Sequence, residues 1–228
     1  PGIGSLTSVL GEAAKSVVAV EIDRTLLPLL DETLSEFDNI KIINSDIMKC
    51  DLKALVDTEF GGERPKVCAN LPYYITTPII SYLIESKLFS SITTMIQKEV
   101  AERICAGPKT AEYGAFSIFV QYYTEPEFLF TVSPDCFIPQ PKVDSAVIKL
   151  NTREKPAVEV KSEDFFFKVV KAAFAQRRKT LLNSISNSMG ISKEKVTDAL
   201  DSLGLDRNIR AEKLQMEDLV NLCDLLFG

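Results

Sequence analysis

The sequence predicts an α/β fold, a mainly parallel sheet with an antiparallel edge hairpin, followed by a small all-α C-terminal domain. Three observations predict it. Short β-branched runs alternate with stretches of helical spacing up to Tyr123, the order that gives parallel strands covered on both faces. Two alternating runs joined by a proline-rich loop come next, as in a hairpin. After Asn151 the apolar spacing is helical throughout.

Taken in order, Pro1–Gly4 reads as the end of a glycine-rich turn, and Ser5 onward as the start of a helix. Ser16–Ile22 is a short apolar strand. Residues 24–36 carry Leu26, Leu27, Leu30 and Leu34 at helical spacing. Ile40–Asn44 is a second strand, and Lys66–Ala69 leads a third into Asn70. Residues 78–88 read as a helix, 92–97 as a fourth strand and Ala115–Tyr123 as a helix. Glu127–Val132 and Val143–Leu150 alternate as strands around Pro134, Pro139 and Pro141. Helices follow at 163–174, 177–188, 193–203 and 215–227. Charged and proline residues break the periodicity near Asn151–Pro156, which divides the chain into 1–153 and 154–228. Glu99 and Arg103 form an i,i+4 pair that supports a helix, and Leu219, Leu222, Leu225 and Leu226 read as core of the helical lobe.

Composition narrows the chemistry. No apolar run is long enough to span a membrane, and no signal-peptide pattern opens the chain. The five cysteines are scattered and never spaced as C-x-x-C, which points to free thiols in a reducing cytoplasm and against a zinc site. With no histidine, Ser-His-Asp and Cys-His mechanisms are excluded. The net charge of −6 weighs against a polyanionic partner, but Lys168, Lys171, Arg177, Arg178 and Lys179 form a local basic cluster. Such a cluster is either a solvated helix face or an RNA contact.

Four features fall at the carboxyl ends of strands, where open parallel sheets bind ligands. Gly2 and Gly4 allow close backbone approach. Glu21 ends the first strand, placed to accept from two ribose hydroxyls. Asp46 follows the second, where a carboxylate can accept from an adenine amine, and Asn70 ends the third. This arrangement fits NAD as well as S-adenosylmethionine; Gly2 and Gly4 also read as a plain turn, and Glu21 and Asp46 as solvated strand ends.

Asn70-Leu71-Pro72-Tyr73 separates these readings. An adenine amino group is a poor nucleophile because its lone pair is delocalised into the ring. Acceptors aimed at both N–H bonds favour the localised form that attacks a methyl group. The Asn70 amide oxygen is one acceptor, and a main-chain carbonyl at Leu71 or Pro72 is the other. Pro72 fixes its own φ and biases Leu71 toward extended backbone. Tyr73 offers a face on which an extruded base can stack. No general base is required, so a chain without histidine suffices.

The chain resembles the ribosomal RNA adenine N6-dimethyltransferases along nearly its whole length. Pro1–Thr7 (PGIGSLT) is similar to that family's cofactor loop, Val20–Asp23 (VEID) to its ribose-binding strand end and Asn44–Ile47 (NSDI) to its adenine-binding one. Asn70–Tyr73 matches its motif, and Gln97–Arg103, Tyr113-Gly114 and Cys136–Val147 match further blocks. The resemblance implies a Rossmann-like class I S-adenosylmethionine-dependent methyltransferase fold. It assigns the cofactor to Gly2, Gly4, Glu21, Ile22, Asp46, Ile47 and Asn70, and the target base to a place between Tyr73 and Phe137. S-adenosylmethionine is the expected methyl donor, with no metal. Residues 1–153 would be the catalytic domain and 154–228 an RNA-recognition domain, acting as a monomer on ribosomal RNA within the small subunit, away from membranes. Ala172–Asn183 (AAFAQRRKTLLN) and Leu71 resemble the small-subunit branch, whose substrate is 16S rRNA and whose activity serves ribosome biogenesis. The alternatives are the erythromycin-resistance branch acting on 23S rRNA, and a non-catalytic ribosome assembly factor. A dehydrogenase-like NAD domain gives Asn70–Tyr73 no role. DNA adenine methyltransferases carry Asp or Asn before Pro-Pro-Tyr, and Leu71 speaks against them. The family's pattern also has a basic arm and a central strand with a further glycine and an acidic residue ahead of Pro1. Their absence predicts that the sequence is a fragment with weak affinity for S-adenosylmethionine.

Overall fold

The computed structural model describes residues 1–227. The chain divides into two compact units, one formed by Pro1–Gln97 with Leu129–Thr152, the other by Lys98–Phe128 with the chain from Arg153 onward. The sequence draws its line once, near residue 153; the compact units also exchange chain at Gln97/Lys98 and Phe128/Leu129.

In the first unit, α1 (Ser5–Ala13) leads to β1 (Val17–Glu21), α2 (Leu27–Thr33) to β2 (Ile40–Asn44), α3 (Leu52–Phe60) to β3 (Lys66–Asn70), and α4 (Thr76–Ser86) to β4 (Ser91–Gln97). β1 pairs parallel with β2, from Val17 opposite Ile40 to Glu21 opposite Asn44. β3 pairs parallel with β4, placing Asn70 opposite Met95. β6 (Ser145–Thr152) runs antiparallel to β4, with Ser145 opposite Gln97, and β5 (Thr124–Val132) pairs on its outer side. The expected single sheet is therefore two sheets, β1-β2 and β3-β4-β6-β5. No described segment supplies a strand to the second edge of β1 or of β3, so each has one strand partner. Tyr82 of α4 links the halves by donating its hydroxyl to the Cys50 carbonyl beyond β2 at 2.5 Å.

Local chemistry sets the element ends. Asp51 caps α3 by accepting from Ala54 N–H, and Gly61 closes it in left-handed backbone. The sequence reading missed α3 because its buried stripe is only Leu52 and Val56. Pro126 is tolerated in β5 because that strand is an edge. Gly11 lets α1 lie close on β2; a Cβ there would sit 2.6 Å from Ile40 Cδ1 and 2.8 Å from Phe37 Cδ1.

The second unit holds α5 (Lys98–Cys105), α6 (Ala115–Tyr123), α7 (Glu163–Phe174), α8 (Leu181–Met189), α9 (Lys193–Ser202) and α10 (Met216–Leu226) around a continuous apolar core. The core centres on Tyr122, Phe166 and Phe167, with Tyr122 edge-on to Phe167 at 5.2 Å. Glu99 and Arg103 pair at 2.8 Å as expected. Leu219, Leu222 and Leu226 are buried, but Leu225 is 44 % exposed. The helix expected at 177–188 begins only at Leu181, because Thr180 caps it with its hydroxyl on Asn183 N–H; Arg177–Lys179 lie in the preceding turn. Among the described residues no helix is long and apolar enough to cross a membrane.

Candidate active site

The opening turn supplies partners for Glu21. Gly2 (φ +60°) and Gly4 (φ +93°) both adopt left-handed backbone. A Cβ at Gly2 would meet nothing within 4 Å, whereas at Gly4 it would press on Leu30 Cδ2 at 3.3 Å. Gly2 thus faces open space, and Gly4 lets the turn pack on α2. Gly2 N–H donates to Glu21 Oε2 at 3.2 Å and Asp23 N–H to Oε1 at 2.8 Å, with the Pro1 nitrogen 3.4 Å from Oε2. Burial pushes the Glu21 carboxyl up, but the backbone donors of Asp23 and Gly2 hold it below the usual glutamate range. A carboxylate has about four lone-pair sites. The two backbone donors therefore leave acceptor capacity for hydroxyl groups.

Asn44 ties this end of the sheet together. Its Nδ2 donates to the Glu21 carbonyl at 2.7 Å, and its Oδ1 accepts from Arg24 Nε at 3.0 Å. Ser45 N–H donates to the same Glu21 carbonyl at 3.0 Å. Asp46 follows, accepting from Met48 N–H through Oδ1 at 3.0 Å, which caps the 3-10 turn Ile47–Lys49. Its Oδ2 takes no hydrogen bond among the described residues. Ile22 is 66 % exposed, an apolar side chain set between Glu21 and Asp23, and Ile47 is half-buried beside Asp46.

The second cluster lies where β3 ends. Asn70 is exposed, and its carboxamide makes no hydrogen bond among the described residues. Leu71 is buried, and its N–H donates to the Met95 carbonyl at 3.2 Å, continuing the β3–β4 ladder. Pro72 (φ −61°, ψ 130°) turns the chain into α4. Of the two carbonyls the sequence left open, that of Pro72 accepts from Ile75 N–H at 3.2 Å and Thr76 Oγ1 at 3.0 Å. The Leu71 carbonyl accepts no hydrogen bond among the described residues.

Tyr73 is half-buried, and its hydroxyl shares a 2.6 Å hydrogen bond with Ser145 Oγ, itself fully buried at the start of β6. Tyr74, next in the chain, is 85 % exposed. Phe137 stands in the β5–β6 loop in extended backbone, its N–H on the Pro134 carbonyl at 3.1 Å. No ring contact joins Tyr73 to Phe137 among the described residues, and no hydrogen bond or ion pair joins the Glu21–Asp46 cluster to the Asn70–Tyr73 cluster.

In the second unit, Lys168 and Lys171 are exposed on α7, and Arg177, Arg178 and Lys179 are exposed in the turn after it. Arg177 donates to the Ala111 carbonyl; the other four form no ion pair among the described residues.

Sequence reasoning missed Ser145, Thr76 and the separate role of Asn44. Asn44 carries a usable signal, an amide closing a β-branched strand. Ser145 and Thr76 carry none, because their partners lie across a turn or a strand.

The profile of a family described as ribosomal RNA adenine dimethylase matches residues 1–227. A ribosomal RNA small subunit methyltransferase A from Alkaliphilus oremlandii is 51 % identical over 96 % of this chain and 77 % of its own length. The protein of the same name from Streptococcus thermophilus is 49 % identical over 99 % of this chain and 80 % of its own. Among solved structures, a dimethyladenosine transferase from Plasmodium falciparum superposes with a TM-score of 0.79 at 24 % identity, covering 97 % of this chain and 85 % of its own. The 23S rRNA methyltransferase ErmE superposes with a TM-score of 0.72 at 26 % identity, covering 100 % of this chain and 88 % of its own. The fold is accordingly the Rossmann-like α/β arrangement of these enzymes. With half its residues shared across nearly its whole length, the chain belongs to the ribosomal RNA adenine dimethylase family.

Proposed function

We propose that the protein dimethylates the N6 amino group of adenines in small-subunit ribosomal RNA. The observation that carries this reading is the pair of acceptors left open side by side, the Asn70 carboxamide and the Leu71 carbonyl, beside a Pro72 carbonyl already held by two donors. Two acceptors suit the two N–H bonds of an exocyclic amine. Each bond drawn toward its acceptor localises the nitrogen lone pair away from the ring. Tyr73, fixed by Ser145, offers a stacking face, and Phe137 offers a second across the β5–β6 loop.

S-adenosylmethionine, when bound, supplies an electrophilic methyl group on a sulfonium centre. Glu21 has acceptor capacity for ribose hydroxyls, Asp46 Oδ2 for an adenine amine, and Ile22 and Ile47 apolar surface for the purine. Gly2, open around its Cα, and Gly4 form the turn over that end, and Asn70 completes the set. Residues 1–153 thus carry the chemistry, and the basic cluster from Lys168 to Lys179 within 154–228 carries RNA contact. The roughly half-identical relatives named for the small subunit, against 26 % for ErmE, favour 16S over 23S rRNA.

The test is methylation of unmodified small and large subunits, with products read by nucleoside mass spectrometry. Dimethyladenosine in small-subunit RNA is expected, and its appearance only in large-subunit RNA overturns the branch. Asn70→Ala is expected to lower the rate about 100-fold, by analogy with loss of one preorganised polar group in a catalytic site, without change in folding. An Asn70→Ala protein with full activity refutes the mechanism.

A further inference from the structure

The second unit contains a cavity of about 440 Å³ that the methyl-transfer reading does not use. That volume lies in the range of small-ligand pockets. Its walls combine the apolar Met216 with polar groups whose hydrogen bonding is incomplete.

Tyr113 is the most telling of these. Its residue is 1 % exposed, and its ring packs edge-to-face on Phe174 at 5.9 Å, yet its hydroxyl makes no hydrogen bond among the described residues and borders the cavity. Among the described residues no fully buried side-chain polar atom lacks a partner, so this hydroxyl is open to the cavity and free to donate to an occupant. Burial first, then the charges of Glu217 and Asp218, push its pKa up to about 12, so it remains a proton donor at neutral pH. Lys109 reaches the rim from a left-handed backbone (φ +72°) pinned by its N–H on the Glu212 carbonyl at 2.7 Å, and its ammonium has no ion pair among the described residues. Arg153 spends Nε on the Gln121 and Thr124 carbonyls and Nη1 on Glu125, leaving Nη2 without a partner among the described residues. Glu217, in the first turn of α10, adds an acceptor.

Two cationic groups, a neutral donor, an acceptor and an apolar wall together suit a ligand with a phosphate and a polar-edged flat ring. We propose that this cavity receives one nucleotide of the RNA strand, its phosphate on Lys109 and Arg153 and its base edge on Tyr113 and Glu217. The assignment rests on the RNA reading above. A strand is favoured over a free nucleotide because Arg177, in the exposed basic turn, donates to Ala111 in the loop that carries Lys109 and Tyr113. The basic turn and the cavity rim are thereby continuous.

The test measures the Kd of the wild-type protein and of Tyr113→Phe, Lys109→Gln and Lys193→Gln for unmodified small ribosomal subunits, together with kcat at saturation. Ultraviolet crosslinking with peptide mass spectrometry and titration with nucleoside 5′-monophosphates run in parallel. Tyr113→Phe keeps the ring and removes only the hydroxyl, and Lys193 is an exposed control in the same unit. Expected are losses of affinity of about ten-fold for Tyr113→Phe and Lys109→Gln, the scale of one hydrogen bond, with at most about two-fold for the control on the scale of a surface charge. Wild-type kcat and a crosslink on 108–113 or 215–217 are also expected. If wild type binds and methylates subunits but both variants behave like the control and no crosslink falls there, the cavity assignment is overturned and the RNA reading stands. Mononucleotides binding as tightly as subunits, with the same variant sensitivity, overturn the strand. A wild type that neither binds nor methylates any subunit overturns both readings.

Discussion

Substituting Ser145 tests whether the Tyr73 ring is held in place by one hydrogen bond. The two hydroxyls lie 2.6 Å apart, and Ser145 is fully buried while Tyr73 is half-buried. Ser145→Ala removes one partner and leaves the Tyr73 hydroxyl to find water, a loss of about 1 kcal/mol, rising toward ~3 kcal/mol if the site stays dry. Tyr73→Phe removes the other partner at a similar cost. With both hydroxyls gone neither is stranded, so the double variant is expected to lose little more than either single one, a coupling of ~0.5–1 kcal/mol. Urea denaturation of the four proteins reads this directly, and each 1 kcal/mol corresponds to a Tm shift of ~2–4 °C for a chain of this size. For methyl transfer, Tyr73→Phe keeps the stacking face and is expected to stay within about five-fold of wild type. Tyr73→Ala loses ~1–3 kcal/mol of stacking, about 5- to 150-fold in kcat/KM. Single-variant effects that simply add in the double variant, within ~0.3 kcal/mol, refute the coupling and with it the claim that Ser145 positions the ring.

Two further outcomes follow from the cofactor end. Asn44→Ala removes the 2.7 Å bond to the Glu21 carbonyl and the partner of Arg24, and is expected to cost ~1–2 kcal/mol of stability and to weaken S-adenosylmethionine binding in calorimetry; unchanged affinity would show that Asn44 does not shape the site. Glu21 has a carboxyl held below the usual glutamate range, so the stability it contributes is present above the unfolded value and is lost as pH falls through its folded value. Glu21→Gln is therefore expected to flatten the acid limb of the stability–pH curve, and an unaltered limb would contradict the assignment.

The parts of the fold legible in the sequence were those with local causes. β1 and β2 came from β-branched runs, α7 and α9 from apolar spacing, and the strand-end positions of Glu21 and Asn70 followed from them. α3 was missed because two buried residues make too narrow a stripe to stand out. α8 was drawn too early because Arg177 and Arg178 are good helix formers, and only the Thr180 cap fixes the start. The split of the sheet was beyond a periodicity argument, which finds strands and says nothing of which edges meet. Within the site, sequence reasoning named Tyr73 but not the serine that holds it, since their 2.6 Å contact spans 72 positions.

The choice between Leu71 and Pro72 shows what the structure adds to a motif. Both carbonyls were candidates from sequence, because both flank the proline that stiffens the turn. In the folded chain Leu71 N–H is matched to Met95, the Pro72 carbonyl to Ile75 and Thr76, and the Tyr73 hydroxyl to Ser145. The Asn70 carboxamide and the Leu71 carbonyl take no such partner among the described residues. Asn70 is exposed, so its carboxamide is open to solvent or to a ligand with donors. On the function proposed above, the two N–H bonds of an exocyclic amine would meet that carboxamide and the Leu71 carbonyl, while the bonded Pro72 carbonyl would hold the turn.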